Sequence, residues 1–242
     1  MAGKSILVDT SRCTACRGCQ IACKNWNQNG ASLTKNTGSH QNPPDLDGST
    51  YKLVRFSEVE TDGKLAWYFF PDQCRHCLEP PCKDTIEGYV DDGVIQDDAT
   101  GAVVYTEKAK EAPFDELKES CPYDIPRQTK EGRAVKCTLC LDRVSNGLIP
   151  ACVKSCPTGA MAFGDRSEIL ALAKERLAKL KEKRPNAQLL DADQVRVIYL
   201  VVDDPEKYHK TAVAGLRPAS GAKLARRDLL KPASRLFKRL VG

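Results

Sequence analysis

Twelve cysteines constrain this 242-residue chain more than any other feature, because they fall into ordered groups. Cys13, Cys16, Cys19 and Cys23 come first, spaced C-x2-C-x2-C-x3-C. Cys74, Cys77 and Cys82 follow, then Cys121 standing before Pro122. Cys137, Cys140, Cys152 and Cys156 close the series, with Pro157 after the last. A disulfide framework suits short secreted chains that lack a core, and a chain of this length has no need of one. Zinc also uses C-x2-C pairs, but it has no use for three cysteines in one C-x2-C-x2-C turn followed by a fourth that points elsewhere. Soft thiolates throughout suit iron–sulfur clusters, and a zinc-stabilised scaffold is the alternative that stays open. Twelve thiolates divide into three [4Fe–4S] sets with none left over.

The opening run has the bacterial ferredoxin spacing, in which the fourth cysteine serves the other cluster of a pair. If the first and last groups are the halves of one unit, Cys13, Cys16, Cys19 and Cys156 form set A, and Cys137, Cys140, Cys152 and Cys23 form set B. Set C is then Cys74, Cys77, Cys82 and Cys121, in a second unit. Counting at the same intervals locates the partner set that this second unit lacks: Ile86, Glu111, Phe114 and Leu117, none of them cysteine. One whole set is missing, where random loss would leave orphan thiols. Ile86, Phe114 and Leu117 are expected to fill the volume, since a cavity there would be costly. A plainer reading makes 107–120 an unrelated helix, and the two are compatible.

Hydrophobic residues are 41% of the chain and aromatics only 6%, so the core is modest and metal ligation is expected to supply part of the folding free energy. The net charge of +5 is unevenly placed: from Arg217 onward there are eight Lys or Arg and one Asp, so that tail carries +7 and the remainder −2. The tail lacks aromatic interleaving, and docking along a large partner suits it better than nucleic acid. The most apolar stretch, 195–202, is far short of the about twenty residues that a membrane-spanning helix needs. The first residues reach Cys13 without an apolar leader, so the expectation is either cytoplasmic residence or export in the folded state with a partner that bears the signal.

A strand is expected at 6–9, a long polar loop at 24–50, hairpins at 51–59 with 65–70 and at 93–96 with 102–106, and a helix at 166–183 capped by Asp165 and Glu168. A buried strand at 194–202 and a short helix at 205–214 complete the reading. The domain scheme is 1–30 with 131–165 as the first unit, 31–67 as loop and hairpin, 68–130 as the second unit, 166–216 as an extension and 217–242 as the basic tail. His76 lies between two thiols and is read as a supporting residue rather than a ligand. Lys136 and Arg12 precede thiols and would raise a cluster's potential if held close; solvated side chains are the alternative. Trp67, Tyr68, Phe69 and Phe70 read as a core face that also shields Cys74. No phosphate loop, catalytic triad or acid–base pair stands out, so no catalytic residue is assigned.

The segments CTACRGCQIAC, CRHCLEPPC, CPYDIPR and KCTLC with PACVKSCPTGA resemble the iron–sulfur electron-transfer subunits of molybdopterin oxidoreductases. With NTGSHQNPPDL and three sets in place of the usual four, the chain is most similar to the beta subunits of periplasmic tungsten- or molybdenum-dependent formate dehydrogenases. The resemblance covers 5–215. It implies an α+β fold of two ferredoxin-like units with a C-terminal α/β extension, three [4Fe–4S] clusters and a heterodimer with a W/Mo-bis-pyranopterin catalytic subunit. It further implies a c-type cytochrome as electron acceptor and a periplasmic location. Nitrate or polysulfide oxidoreductases are the alternative partners.

Overall fold

Two short apolar runs carry the fold. Ile6, Leu7 and Val8 are fully buried, as are all five residues of Val197–Val201. Strands hidden on both faces need continuous apolar runs rather than alternation, and these two lie side by side at the centre of one sheet. The computed structural model describes residues 3–35, 38–61 and 63–216. The basic tail 217–242 lies outside the described residues.

The elements in chain order are β1 (Lys4–Asp9), α1 (Gly18–Trp26), β2 (Leu53–Thr61), β3 (Lys64–Asp72), α2 (Pro81–Glu87), β4 (Val94–Gln96) and β5 (Val103–Tyr105). They continue with α3 (Phe114–Ser120), β6 (Arg127–Gln128), β7 (Ala134–Val135), α4 (Leu141–Val144), α5 (Ala151–Lys154), β8 (Met161–Asp165), α6 (Arg166–Lys181), β9 (Gln188–Leu190) and β10 (Val197–Val201). The main sheet has the order β8-β1-β10-β9. β1 runs parallel to β10, with Ile6 opposite Val197, and antiparallel to β8. The segment expected to be an extension thus supplies a central strand of the sheet.

Successive strand residues point to opposite faces. Leu7, Ile198 and Leu200 meet Ile169 and Ala173 of α6. Ile6, Val8, Val197, Tyr199 and Val201 meet Val54 and Phe70 of the long hairpin and Val153 of α5. Phe70 stacks on Tyr199 at 4.4 Å between ring centroids, and the Tyr199 hydroxyl donates to the Pro71 carbonyl at 2.7 Å. A buried charge network then ties hairpin, loop and turn together: Asp72 accepts from Arg75 and Arg55, and Asp45 accepts from Arg55 and Arg127. Burial alone would raise the Asp72 carboxyl, but Arg75 and Arg55 hold it below its ordinary value. The polar loop is tied down in the same way, by Lys24 donating to Ser49 and Thr50 and by Gln20 to the Asn42 carbonyl.

Two local expectations are corrected. Asp165 caps α6 by position but makes no side-chain cap bond. It stands opposite Lys4 in the sheet and takes that ammonium at 2.7 Å instead. The 205–214 segment forms only 3-10 turns, at Pro205–Lys207 and Ala214–Leu216. The Tyr208 hydroxyl is drawn inward to Thr10 and to the Val202 N–H, and His209 Nδ1 accepts the Thr211 N–H, so side-chain bonds replace the helical ladder.

A third core cluster joins Ile86, Val94, Val103, Ala109, Ala112, Leu117 and Ala134, with Phe114 packed against it. Ile86 and Leu117 are fully buried where α2 meets α3. The segment expected as one helix at 107–120 is a 3-10 turn, Glu107–Glu111, followed by α3. Replacing Ile86 or Leu117 by alanine should each cost about 2–5 kcal/mol, read as a lowered denaturant midpoint. Leu33→Ala, at a fully exposed side chain, should leave the midpoint in place.

Candidate metal centres

One local device recurs in three loops. In the C-x2-C segments that begin at Cys13, Cys74 and Cys137 the residue before the second cysteine has a left-handed backbone: Ala15 at φ 53°, His76 at 47° and Leu139 at 57°. For residues with a Cβ this costs on the order of 1 kcal/mol. The turn aims that residue's N–H back at the first sulfur. His76 N–H donates to Cys74 Sγ at 3.3 Å and Leu139 N–H to Cys137 Sγ at 3.4 Å. Ala15 N–H does the same for Cys13. The 74–77 loop is further pinned to the sheet, since Arg75 O accepts the Val197 N–H at 2.9 Å and Leu78 N–H reaches Gln194 O at 2.9 Å.

These loops bring the twelve thiols to three cavities. Cys13, Cys16, Cys19 and Cys156 line one. Cys23, Cys137, Cys140 and Cys152 line a second. Cys74, Cys77, Cys82 and Cys121 line the third. Cys23 therefore lies apart from its sequence neighbours, because α1 carries it a turn onward to face α5. Each is lined by four thiols, so they suit copies of one group. Four soft sulfur donors around a space, with N–H groups aimed at the sulfurs, fit a thiolate-ligated iron–sulfur cluster. Among the described residues no group of three or more His, Cys, Asp or Glu is placed to hold a single metal ion.

Burial makes several of the thiols weaker acids than a free cysteine. Burial pushes Cys13, Cys140 and Cys152 up to about 11 and Cys121 and Cys137 up to about 12. Cys156 goes the other way: burial would raise it, but the N–H groups of Met161, Ala160 and Thr158 and the Thr158 hydroxyl hold it down. Ligands must be deprotonated to bind, so loading releases protons and is linked to folding.

The second cavity adjoins both of the others. Cys19 of the first acts electrostatically on Cys152 of the second, and Cys74 of the third acts on Cys137 of the second. Cys16 is the one exposed thiol among the twelve, at the outer end of the first cavity. His76 is fully buried on the wall of the third, and its Nδ1 accepts the Val103 N–H at 3.0 Å, so Nε2 carries the hydrogen. Burial, then Lys136 and Arg196, hold His76 neutral, far below its ordinary value. Lys136 is buried rather than solvated, whereas Arg12 is exposed. Trp67 and Phe69 form an outer aromatic group with Phe56 and His40, while Tyr68 and Phe70 point into the core. Two residues carry no signal in the sequence: Lys52, buried on the wall of the second cavity, and Gln73 beside it. Only their position in the folded hairpin distinguishes them from ordinary polar residues of a strand.

The class follows from this geometry and from similarity together. Residues 65–166 match the family model described as a 4Fe-4S dicluster domain. The chain is 54% identical to the formate dehydrogenase subunit beta of Megalodesulfovibrio gigas, over 87% of this chain and 99% of that one. It is 53% identical to formate dehydrogenase 2 subunit beta (cytochrome c-553) of Nitratidesulfovibrio vulgaris, over 86% and 98%. The nitrate-inducible formate dehydrogenase iron-sulfur subunit of Escherichia coli is 40% identical, over 84% of this chain and 70% of that one. The chain belongs to the beta, iron–sulfur subunits of formate dehydrogenases. It is the non-catalytic, electron-transferring part of such a complex.

If each cavity holds one group, Cys23→Ser and Cys140→Ser should erase the same reduced-cluster signal in electron paramagnetic resonance, and Cys16→Ser a different one. Loss of one common signal in Cys23→Ser and Cys16→Ser would contradict this.

Proposed function

We propose that the chain relays electrons through three [4Fe–4S] clusters between a W/Mo-bis-pyranopterin catalytic subunit and an external acceptor such as a c-type cytochrome. The observation that carries the count is the division of all twelve cysteines among three cavities, four to each. In this reading Cys13, Cys16, Cys19 and Cys156 hold cluster A, Cys137, Cys140, Cys152 and Cys23 hold cluster B, and Cys74, Cys77, Cys82 and Cys121 hold cluster C. The twice-used crossing and the loop geometry repeated at Ala15, His76 and Leu139 support two ferredoxin-like units, one of which has lost a cluster.

A [4Fe–4S] cluster supplies one-electron chemistry with little rearrangement. The chain's own residues do the rest. The thiols fix the spacing of the row, the N–H groups at the sulfurs favour the reduced state, and the apolar walls exclude water. The exposed Cys16 end suits contact with the electron donor, and the Cys74–Cys121 end suits the acceptor side. Ile86, Phe114 and Leu117 close off the second unit's other half, which makes cluster C the end of the row. The name of the N. vulgaris relative includes cytochrome c-553, which supports an acceptor of that class. The resemblance to periplasmic complexes supports a periplasmic heterodimer, exported with a signal-bearing catalytic subunit. No helix among the described residues is long and apolar enough to cross a membrane.

Iron and acid-labile sulfide analysis of the isolated subunit tests the reading. About twelve of each per chain is expected. Contents near eight or sixteen, or stoichiometric zinc, would contradict it.

A further inference from the structure

Two lysines are buried between the thiol-lined cavities with no carboxylate partner among the described residues. Lys52 is 1% exposed and lines the second cavity. Its Nζ donates to the Pro71 carbonyl at 3.2 Å and to Gln73 Oε1. Pro71 lines the first cavity and Gln73 the second, so the ammonium stands at their junction. Gln73 Nε2 in turn faces Cys137 Sγ at 4.0 Å. Lys136 is 5% exposed and lines the third cavity. Its Nζ donates to the Val103 carbonyl and, at 3.3 Å, to the carbonyl of Cys137, a thiol of the second cavity. Its other neighbour is the ring face of Tyr105 at 4.8 Å.

Arg55 and Arg75, buried nearby, both bond Asp72, and Arg55 bonds Asp45 as well. Among the described residues Lys52 and Lys136 have only neutral oxygens and a ring as direct partners. Taking an ammonium out of water costs several kcal/mol unless negative charge compensates it. The nearest source is the thiolates on either side. Lys52 lines the cavity of Cys23, Cys137, Cys140 and Cys152 and, through the Pro71 carbonyl, borders that of Cys19. Lys52 also acts on Cys13 and Cys23, and Lys136 acts on Cys82 and Cys137. A purely structural tie to a carbonyl needs no charge, and an amide would serve at less cost.

Resting on the cluster reading above, we propose that Lys52 and Lys136 are fixed buried positive charges, one at each junction of the row. Each favours the reduced state of the two clusters it separates. Every electron accepted adds one negative charge, and an ammonium shared between neighbours stabilises that charge on either side. The middle cluster feels both lysines and the outer two feel one each. The charges thus keep neighbouring centres accessible to the same electron.

Potentiometric titration of the intact complex, followed by paramagnetic resonance, tests this. Wild-type iron and sulfide are measured first, and a count other than three clusters would defeat the cluster reading itself. Given three, Lys52→Met should shift two of the three midpoint potentials negative, and Lys136→Met should shift two, with one cluster common to both pairs. Gln73→Glu keeps the side chain's size and sets a carboxylate against Lys52, so it should shift the same two clusters as Lys52→Met. If Lys52→Met loses iron while Gln73→Glu stays loaded, a negative shift in the latter sustains the proposal. Fully loaded variants with unchanged potentials, or with all three moved equally, would overturn it.

Discussion

Everything in this molecule depends on getting four sulfur atoms to face one point, three times over. A chain of L-residues does not turn that tightly for nothing. It places Ala15, His76 and Leu139 in left-handed backbone and recovers part of the cost as N–H bonds to sulfur. Those bonds are worth most once the sulfur is a thiolate, and burial favours the protonated form of Cys13 and Cys137. In the cluster reading, fold and metal loading are therefore coupled: the sheet holds the loops in place, and the ligated groups would hold the loops together.

Charge is handled in two different ways inside the same core. Around the Arg55–Asp72–Arg75 cluster every buried charge has its opposite within hydrogen-bond distance, and the result is rigid attachment of the hairpin to the 74–77 loop. Lys52 and Lys136, on the cavity walls, have no carboxylate partner among the described residues. That asymmetry is electrostatically sensible only if the cavities carry negative charge, which thiolate-ligated clusters do. A protein that moves electrons in single steps needs centres that accept negative charge in a dry interior at little cost, and buried cations lower that cost.

Much of this was legible in the sequence because it rests on local rules. The grouping of the thiols follows from spacing, and the long hairpin from apolar runs around a turn signal. The Ile86–Phe114–Leu117 filling follows from counting where absent cysteines would stand, and the structure packs those side chains together. What escaped depends on long-range placement. The strand Val197–Val201 looked like part of an appendage, yet it pairs with β1 nearly two hundred residues earlier in the chain. Asp165 looked like a cap until its cross-strand neighbour Lys4 claimed it. Lys52 sits in a stretch that reads as an ordinary half-polar strand, and only the folded hairpin shows that its ammonium has no water. Lys136 was ambiguous for the same reason: sequence gives its distance along the chain from Cys137 but not the dielectric around it.

The central claim is a linear row of three four-iron centres with crossed ligation. Iron-edge anomalous diffraction from crystals of the assembled complex measures this directly. The account predicts three four-iron peaks within this chain, the middle one bound by Cys23 together with Cys137, Cys140 and Cys152. Two or four such peaks, or a centre surrounded by Cys13, Cys16, Cys19 and Cys23, would contradict it.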